Sequence, residues 1–199
     1  MRVLEVSRLV LLVALVTSVA GCTVTQVGTA SPQSAIPESP PPASDGPERP
    51  REIKIDDLRP CELITAEQRQ EFKIDVPFSE ESESAFQSQI CEMISHSERV
   101  SIAFNVILKH DVARFGIGNP ATIPRAVQVA GFPAFEVRLK ESDPGDQGCS
   151  VNVGVSKGQV IRARFLEQGR KSRPLSYDEV CRRATRGAEL AVGNLLNRR

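Results

Sequence analysis

The chain has no tryptophan and a single tyrosine, Tyr177. Aromatic platforms for stacking sugars or nucleic-acid bases are therefore thinly supplied. It has only two histidines, His96 and His110, and neither has ligand-like neighbours. No CxxC occurs, so the cysteines do not follow a zinc spacing. There is no HExxH, no Walker loop and no EF-hand loop. Lysine plus arginine number 25 and aspartate plus glutamate 25, so bulk charge names no partner. No uninterrupted apolar run reaches the ~20 residues that a membrane-crossing helix needs. These lacks argue against a metal enzyme, a nucleotide hydrolase and a nucleic-acid binder. No cofactor, no metal and no nucleic acid are expected.

What is present starts at the N-terminus. Arg2 and Arg8 precede the apolar run Leu9–Val16, which Thr17-Ser18-Val19-Ala20 extends. A basic segment, a short apolar segment and small residues make a secretory signal peptide. Val19-Ala20-Gly21-Cys22 then matches the bacterial lipobox: branched apolar, small, small, cysteine. Proteins with that motif are diacylglycerylated on the cysteine thiol and cut just before it. The match implies a signal peptide over residues 1–21 and lipidated Cys22 as the mature N-terminus. Two or three acyl chains hold a protein stably where one holds it marginally. The expected location is the extracytoplasmic face of the cell membrane. The expected partners are the membrane itself, envelope proteins, and anionic lipid or wall polymer.

Residues 22–52 carry Pro32, Pro37, Pro40, Pro41, Pro42, Pro47 and Pro50, half of the 14 prolines, among Ser, Thr, Ala and acids. Such a stretch buries too little apolar surface to fold and reads as a tether. It would reach ~90 Å as an extended polyproline chain and ~30 Å as a coil. A single domain is expected over residues 53–199.

Within that domain Thr65 and Gln68 have capping-box spacing, which predicts a short helix over Ala66–Phe72. Ser79–Ser84 is acidic and reads as a loop. Gln89–Ser95 and Val100–Leu108 read as strands, the second apolar at Val100, Ile102, Phe104, Val106 and Leu108. Asp111–Arg125 reads as a long loop. Gly131-Phe132-Pro133 separates strands Ala126–Ala130 and Ala134–Lys140; in the latter Phe135, Val137 and Leu139 alternate with charged residues. Cys149–Ser156 and Val160–Leu166 alternate in the same way about a Lys157-Gly158 hairpin turn. In the last strand Ile161, Ala163 and Phe165 point inward, and Arg162 and Arg164 outward. Strands with one wet and one dry face belong to an antiparallel sheet. Ser176 and Glu179 form a second capping pattern, opening a helix to about Leu196 with Cys181, Ala184, Ala188, Ala191 and Leu195 on one stripe. The expected fold class is α+β: an antiparallel sheet of about five or six strands under a long C-terminal and a short N-terminal helix.

With Cys22 lipidated, Cys61, Cys91, Cys149 and Cys181 are an even set in an oxidising compartment, which reads as two disulfides. Four cysteines allow three connectivities. The element placement favours Cys61–Cys91 and Cys149–Cys181, each closing a loop of about 30 residues. Charge is uneven. Residues 55–100 hold eleven acids against four bases, and residues 157–199 eleven bases against four acids. The halves either pair with each other or leave a basic face, with Arg162 and Arg164 as its candidate binding residues.

One catalytic pattern occurs. Gly154-Val155-Ser156-Lys157-Gly158 fits G-x-S-x-G, but a nucleophile elbow needs a helix after the serine, and here a strand follows. Both histidines precede Ser156, so no triad order is completed. Gly116-Ile117-Gly118 lacks a third glycine. Glu80-Glu81 and Asp56-Asp57 are adjacent rather than opposed, unsuited to acid–base work.

A set of marks resembles an uncharacterised family of actinobacterial cell-envelope lipoproteins with mycobacterial Lpr-type members and a domain of unknown function. The marks are the lipobox, the Pro/Ser tether, Pro60-Cys61-Glu62-Leu63-Ile64-Thr65, Cys91, Gly131-Phe132-Pro133-Ala134, Cys149-Ser150-Val151-Asn152-Val153 and Cys181. They cover residues 55–196. Glu92-Met93 stands where members often carry an aromatic. The resemblance implies the same two disulfides and an α+β domain, and no activity. The expected function is a non-catalytic binding or accessory module of the envelope, binding through the Asp111–Arg125 loop or the exposed Arg162/Arg164 sheet face. The alternative is an enzyme on cell-wall or lipid substrates that uses no recognisable motif.

Overall fold

The computed structural model describes residues 48–198 apart from 141 and 171. The expected signal peptide, Cys22 and the tether up to residue 47 lie outside the described residues. Seven strands form: β1 (Glu80–Glu83), β2 (Ser88–Ser95), β3 (Val100–Ile107), β4 (Thr122–Val129), β5 (Phe132–Leu139), β6 (Gly148–Ser156) and β7 (Gln159–Glu167). Two helices flank them in sequence, α1 (Ala66–Glu71) and α2 (Tyr177–Asn197). The strands make one antiparallel sheet in the order β1-β2-β3-β7-β6-β5-β4. It consists of two meanders, β1–β3 and β4–β7, fused where β3 pairs β7 from Val100↔Glu167 to Ile107↔Val160. The β3–β4 connection must therefore travel from the sheet centre to its far edge. It does so through a short 3-10 turn, Val112–Gly116, packed on β4, β5 and β6.

α2 lies across β6 and β7 on one sheet face. Its buried stripe includes Cys181, Ala184, Gly187, Ala188, Ala191 and Leu195. Small residues let the helix axis approach the sheet. A Cβ on Gly187 would stand 2.6 Å from Ile102 Cδ1 and 3.4 Å from Phe104 Cζ. Between helix and sheet the core holds Ile102, Phe104, Val151, Val153, Ile161 and Phe165, all fully buried. α1 carries the full reciprocal box between Thr65 and Gln68. At the start of α2 Ser176 accepts the Glu179 N–H at 3.2 Å, while the Glu179 carboxylate turns to Arg182 and Arg183. The cysteines pair as Cys61–Cys91 and Cys149–Cys181. The second ties α2 to β6, and the first ties the 3-10 turn Pro60–Glu62 to β2. No helix among the described residues is long and apolar enough to cross a membrane.

The strand count is seven rather than five or six. The extra strand is β1, inside the acidic stretch expected to be a loop. An edge strand needs only backbone pairing on one side, and Glu80↔Cys91 to Glu83↔Ser88 supply it; its charges also blunt the edge. The long loop expected over Asp111–Arg125 contains the 3-10 turn and the start of β4. β5 has the opposite phase to the one its apolar residues suggest. Phe132, Ala134 and Glu136 are its buried residues on the α2 side, and Phe135, Val137 and Leu139 face the other way. The alternation misleads because the crossing connection covers part of that second face, so apolar residues serve both sides. Glu136 is held on the helix side by Arg125, its partner across β4 and β5, through hydrogen bonds of 3.1 and 2.9 Å.

Acidic and basic halves meet. Glu71 pairs with Arg186, Glu98 with Arg170 and Glu62 with Arg198. Much of the basic C-terminal third is thus matched within the fold, and exposed pairs of this kind contribute little each.

One carboxylate is set against acid. Asp75 sits at the end of β2 and accepts the backbone N–H groups of His96 at 2.7 Å and Ser97 at 2.9 Å. The Ser97 hydroxyl, then these N–H groups, lower its pKa from 3.8 to about 2. The folded state binds this proton less tightly than the unfolded chain. Asp75 therefore stabilises the fold above its unfolded pKa, and that contribution is lost as pH falls through about 2. We expect Asp75→Asn to lower the melting temperature at neutral pH and to flatten the acid limb between pH 4 and 2. Thermal melts across pH 2–7 measure it, and parallel acid limbs in variant and wild type would refute it.

Candidate functional site

The face of the sheet away from α2 is only partly covered. The β3–β4 connection crosses it and builds a small second core from Ile107, Val112 and Val160, with Phe86, Phe115 and Phe135 against it. Two glycines make room: a Cβ on Gly154 would meet Val112 Cγ1 at 2.7 Å, and one on Gly116 the Phe135 ring at 2.4 Å. Beyond this cover the face opens into a groove. One stretch, about 440 Å³, runs between Phe86, Phe115 and Ile117 on the connection side and Val137 on β5. The next, about 200 Å³, continues past Val137 to Leu139 and Leu166. Both share Thr122, Val137, Ser150 and Arg162. They are one feature, in the size range of small-ligand sites.

Arg162 and Arg164 lie two residues apart on β7 and project from its face opposite Ala163 and Phe165. The sequence reading made them exposed; they are half-buried, with Nε atoms out of solvent and without a hydrogen-bond partner. Walls of side chains rise around them because the second face is partly covered. Neither takes part in an ion pair among the described residues. The Arg162 guanidinium lies over the Phe86 ring at 4.9 Å, and Phe86 packs on Phe115 at 5.4 Å. Burial lowers the Arg162 pKa to about 10; the Arg164 charge pushes the same way and Glu83 opposes. The folded state thus disfavours the charged form, and this cost is fully present below about pH 10. Glu83 relieves it only in part, at a distance, because its carboxylate is turned to Asn105 at 3.0 Å and Ser88 at 3.2 Å rather than to the guanidinium. Asn152, beside Arg162 in register, donates to the Phe135 carbonyl at 3.2 Å and leaves its buried Oδ1 without a partner.

Among the described residues no carboxylate and no histidine lines either stretch, while Arg114, Arg138, Arg162 and Arg164 do. Three other clefts differ. The cleft of about 590 Å³ between β4, β5 and α2 contains the Arg125–Glu136 pair and Asp178. The others, of about 550 and 420 Å³, contain Glu71–Arg186 and Asp56, Asp57 and Arg198. The groove on the second face differs from these three in having cations and apolar walls with no acid in its lining.

The remaining sequence candidates separate. Ser156 ends β6 in a hairpin and donates its hydroxyl to Glu52, which holds that carboxyl below its usual range. It is a structural donor with no base behind it. His96 is exposed in a turn, and His110 stands edge-on to Phe86 at 6.1 Å. Glu80 accepts from Arg59 and from the Cys61 N–H, and Asp56 from Gln159. Glu136, Cys149 and Cys181 place ligand-type atoms within 4.8 Å of one another. The two sulfurs are joined in the disulfide, so no thiolate is available to a metal. Sequence reasoning missed Phe86, Phe115 and Asn152. The available signal was the Phe135-Val137-Leu139 alternation, read onto the wrong face.

No curated protein and no solved structure matches the chain. A family model described as a protein of unknown function, DUF3558, matches residues 17–194. That span includes both disulfides, the whole sheet and most of α2, so the chain belongs to the DUF3558 family.

Proposed function

We propose that this protein is a lipid-anchored lipoprotein on the extracytoplasmic face of the cell membrane, of the actinobacterial Lpr type, and that its domain is a non-catalytic binding module of the envelope. Arg2 and Arg8, the apolar run after them and Val19-Ala20-Gly21-Cys22 support the anchor. One observation carries the binding reading: a groove with two unmatched arginines and apolar walls, holding no acid and no histidine that would activate its Ser150 or Thr122 hydroxyl. A built site with anchoring groups and no base–nucleophile pair holds a ligand rather than transforming it.

The test is made in cells. Wild-type protein is expected to sediment with membranes and Cys22→Ala to appear in the soluble fraction; retention of the variant on membranes overturns the anchor. A photoreactive residue at Ile117, 75% exposed at the groove rim, is expected to give an adduct of discrete mass. No adduct in membrane-bound protein overturns the binding reading.

A further inference from the structure

We infer that the groove binds an anionic lipid, with a phosphate headgroup seated on Arg162 and Arg164 and its apolar chain lying along Val137, Leu139 and Leu166. This rests on the binding reading above and names the ligand class.

Two guanidinium groups on one strand face repel each other and have lost part of their hydration. Among the described residues neither forms an ion pair, and Glu83 acts on Arg162 only from a distance. Glu83 is turned to Asn105 and Ser88 instead. Unmatched half-buried cations cost stability, and folds retain such costs at functional sites. Arginine forks match phosphate oxygens bidentately, which ammonium groups cannot do. An anion between the two would neutralise both charges.

The polar floor adds a second requirement. Asn152 Oδ1 is a buried acceptor without a donor. A headgroup carrying a hydroxyl, such as a phosphomonoester or a glycerol, supplies that donor. Leaving such an acceptor unsatisfied costs stability.

The walls decide between a bare anion and a lipid. Among the described residues the exposed large apolar side chains are Leu108, Ile117, Ile123 and Leu139, and two of them, Ile117 and Leu139, rim this groove. Leu166 reaches over the bare Gly148 backbone, where a Cβ would stand 2.5 Å from its Cδ2. A free phosphate would leave all this apolar surface in water, whereas a hydrocarbon chain removes it from water.

The experiment uses the full-length lipidated protein in nanodiscs of neutral lipid. Dihexanoyl phosphatidate, dihexanoylglycerol and inorganic phosphate are titrated separately and followed by calorimetry. Dihexanoyl phosphatidate is expected to bind one-to-one, at least tenfold more tightly than inorganic phosphate, with no binding of dihexanoylglycerol. Arg162→Met and Arg164→Met are each expected to weaken phosphatidate at least tenfold while remaining folded by circular dichroism; Lys157→Ala, on the hairpin outside the groove, is expected to change nothing. Equal affinity for phosphate and phosphatidate overturns the lipid in favour of a simple anion site. Unchanged affinity in both arginine variants overturns the location. If phosphatidate fails to bind while the Ile117 crosslink forms in cells, the ligand class is wrong and the binding module stands. If neither occurs, both fall.

Discussion

Replacing Cys149 and Cys181 together by alanine is expected to lower the unfolding free energy by about 3–4 kcal/mol. The bridge spans a sequence separation of 32. Without it, the unfolded chain regains the entropy of that closed loop. Both cysteines are buried, 2% and 6% exposed, so the variant also loses packing between α2 and β6. A domain of this size has about 5–15 kcal/mol in total. The loss is thus a large fraction, read as a lower guanidinium midpoint without reductant. The Cys61–Cys91 bridge, with separation 30, closes a loop that does not overlap the first. The two contributions should add, and the variant lacking all four cysteines should lose about 6–8 kcal/mol. A loss under about 1 kcal/mol for the first pair would show that the unfolded chain is already restrained there.

Phe104→Ala is expected to cost about 3–5 kcal/mol. Phe104 is fully buried on β3 and lies beneath α2 at Gly187. Its cross-strand neighbours are Cys91 and Ala163. One is fixed by its disulfide and the other is small, while Gly187 has no side chain to move. Nothing nearby can close over the void, which places the cost toward the upper end of the range. Phe104→Leu should recover more than half of it. Urea unfolding of both variants measures this. A Phe104→Ala loss below about 1.5 kcal/mol would mean that α2 settles onto β3.

These two sites were legible from local pattern. Helical spacing put Cys181 on the stripe facing the sheet, and strand alternation put Phe104 inside. The Lys157-Gly158 turn and the Thr65 cap are set by neighbouring residues, so they too could be read. β1 could not: four polar residues form a strand only because β2 offers a free edge. The groove was half legible. Arg162 and Arg164 stand out against their apolar neighbours, but Phe86, Phe115 and Val137 come from distant segments. What brings them together is the connection crossing from β3 to β4, and no local spacing records that path. The same crossing explains the phase of β5. Amphipathic alternation identifies which residues share a face; it does not identify which face a helix will cover.

The chain entering the domain also has a mechanical meaning. Arg49 donates to the Gly154 carbonyl and Ile53 to that of Val155, Glu52 accepts from Ser156 and Lys157, and Ile55 donates to Gln159. A pull from the N-terminal side loads this zipper first. Its bonds run in sequence along the β6–β7 hairpin, so they are expected to open one after another. At Cys61 this opening ends, because the bridge to Cys91 passes the load covalently into β2 and from there, in shear, across β3 to β7. Residues 49–60 are thus a spring with a covalent stop, and the arginine strand lies behind that stop.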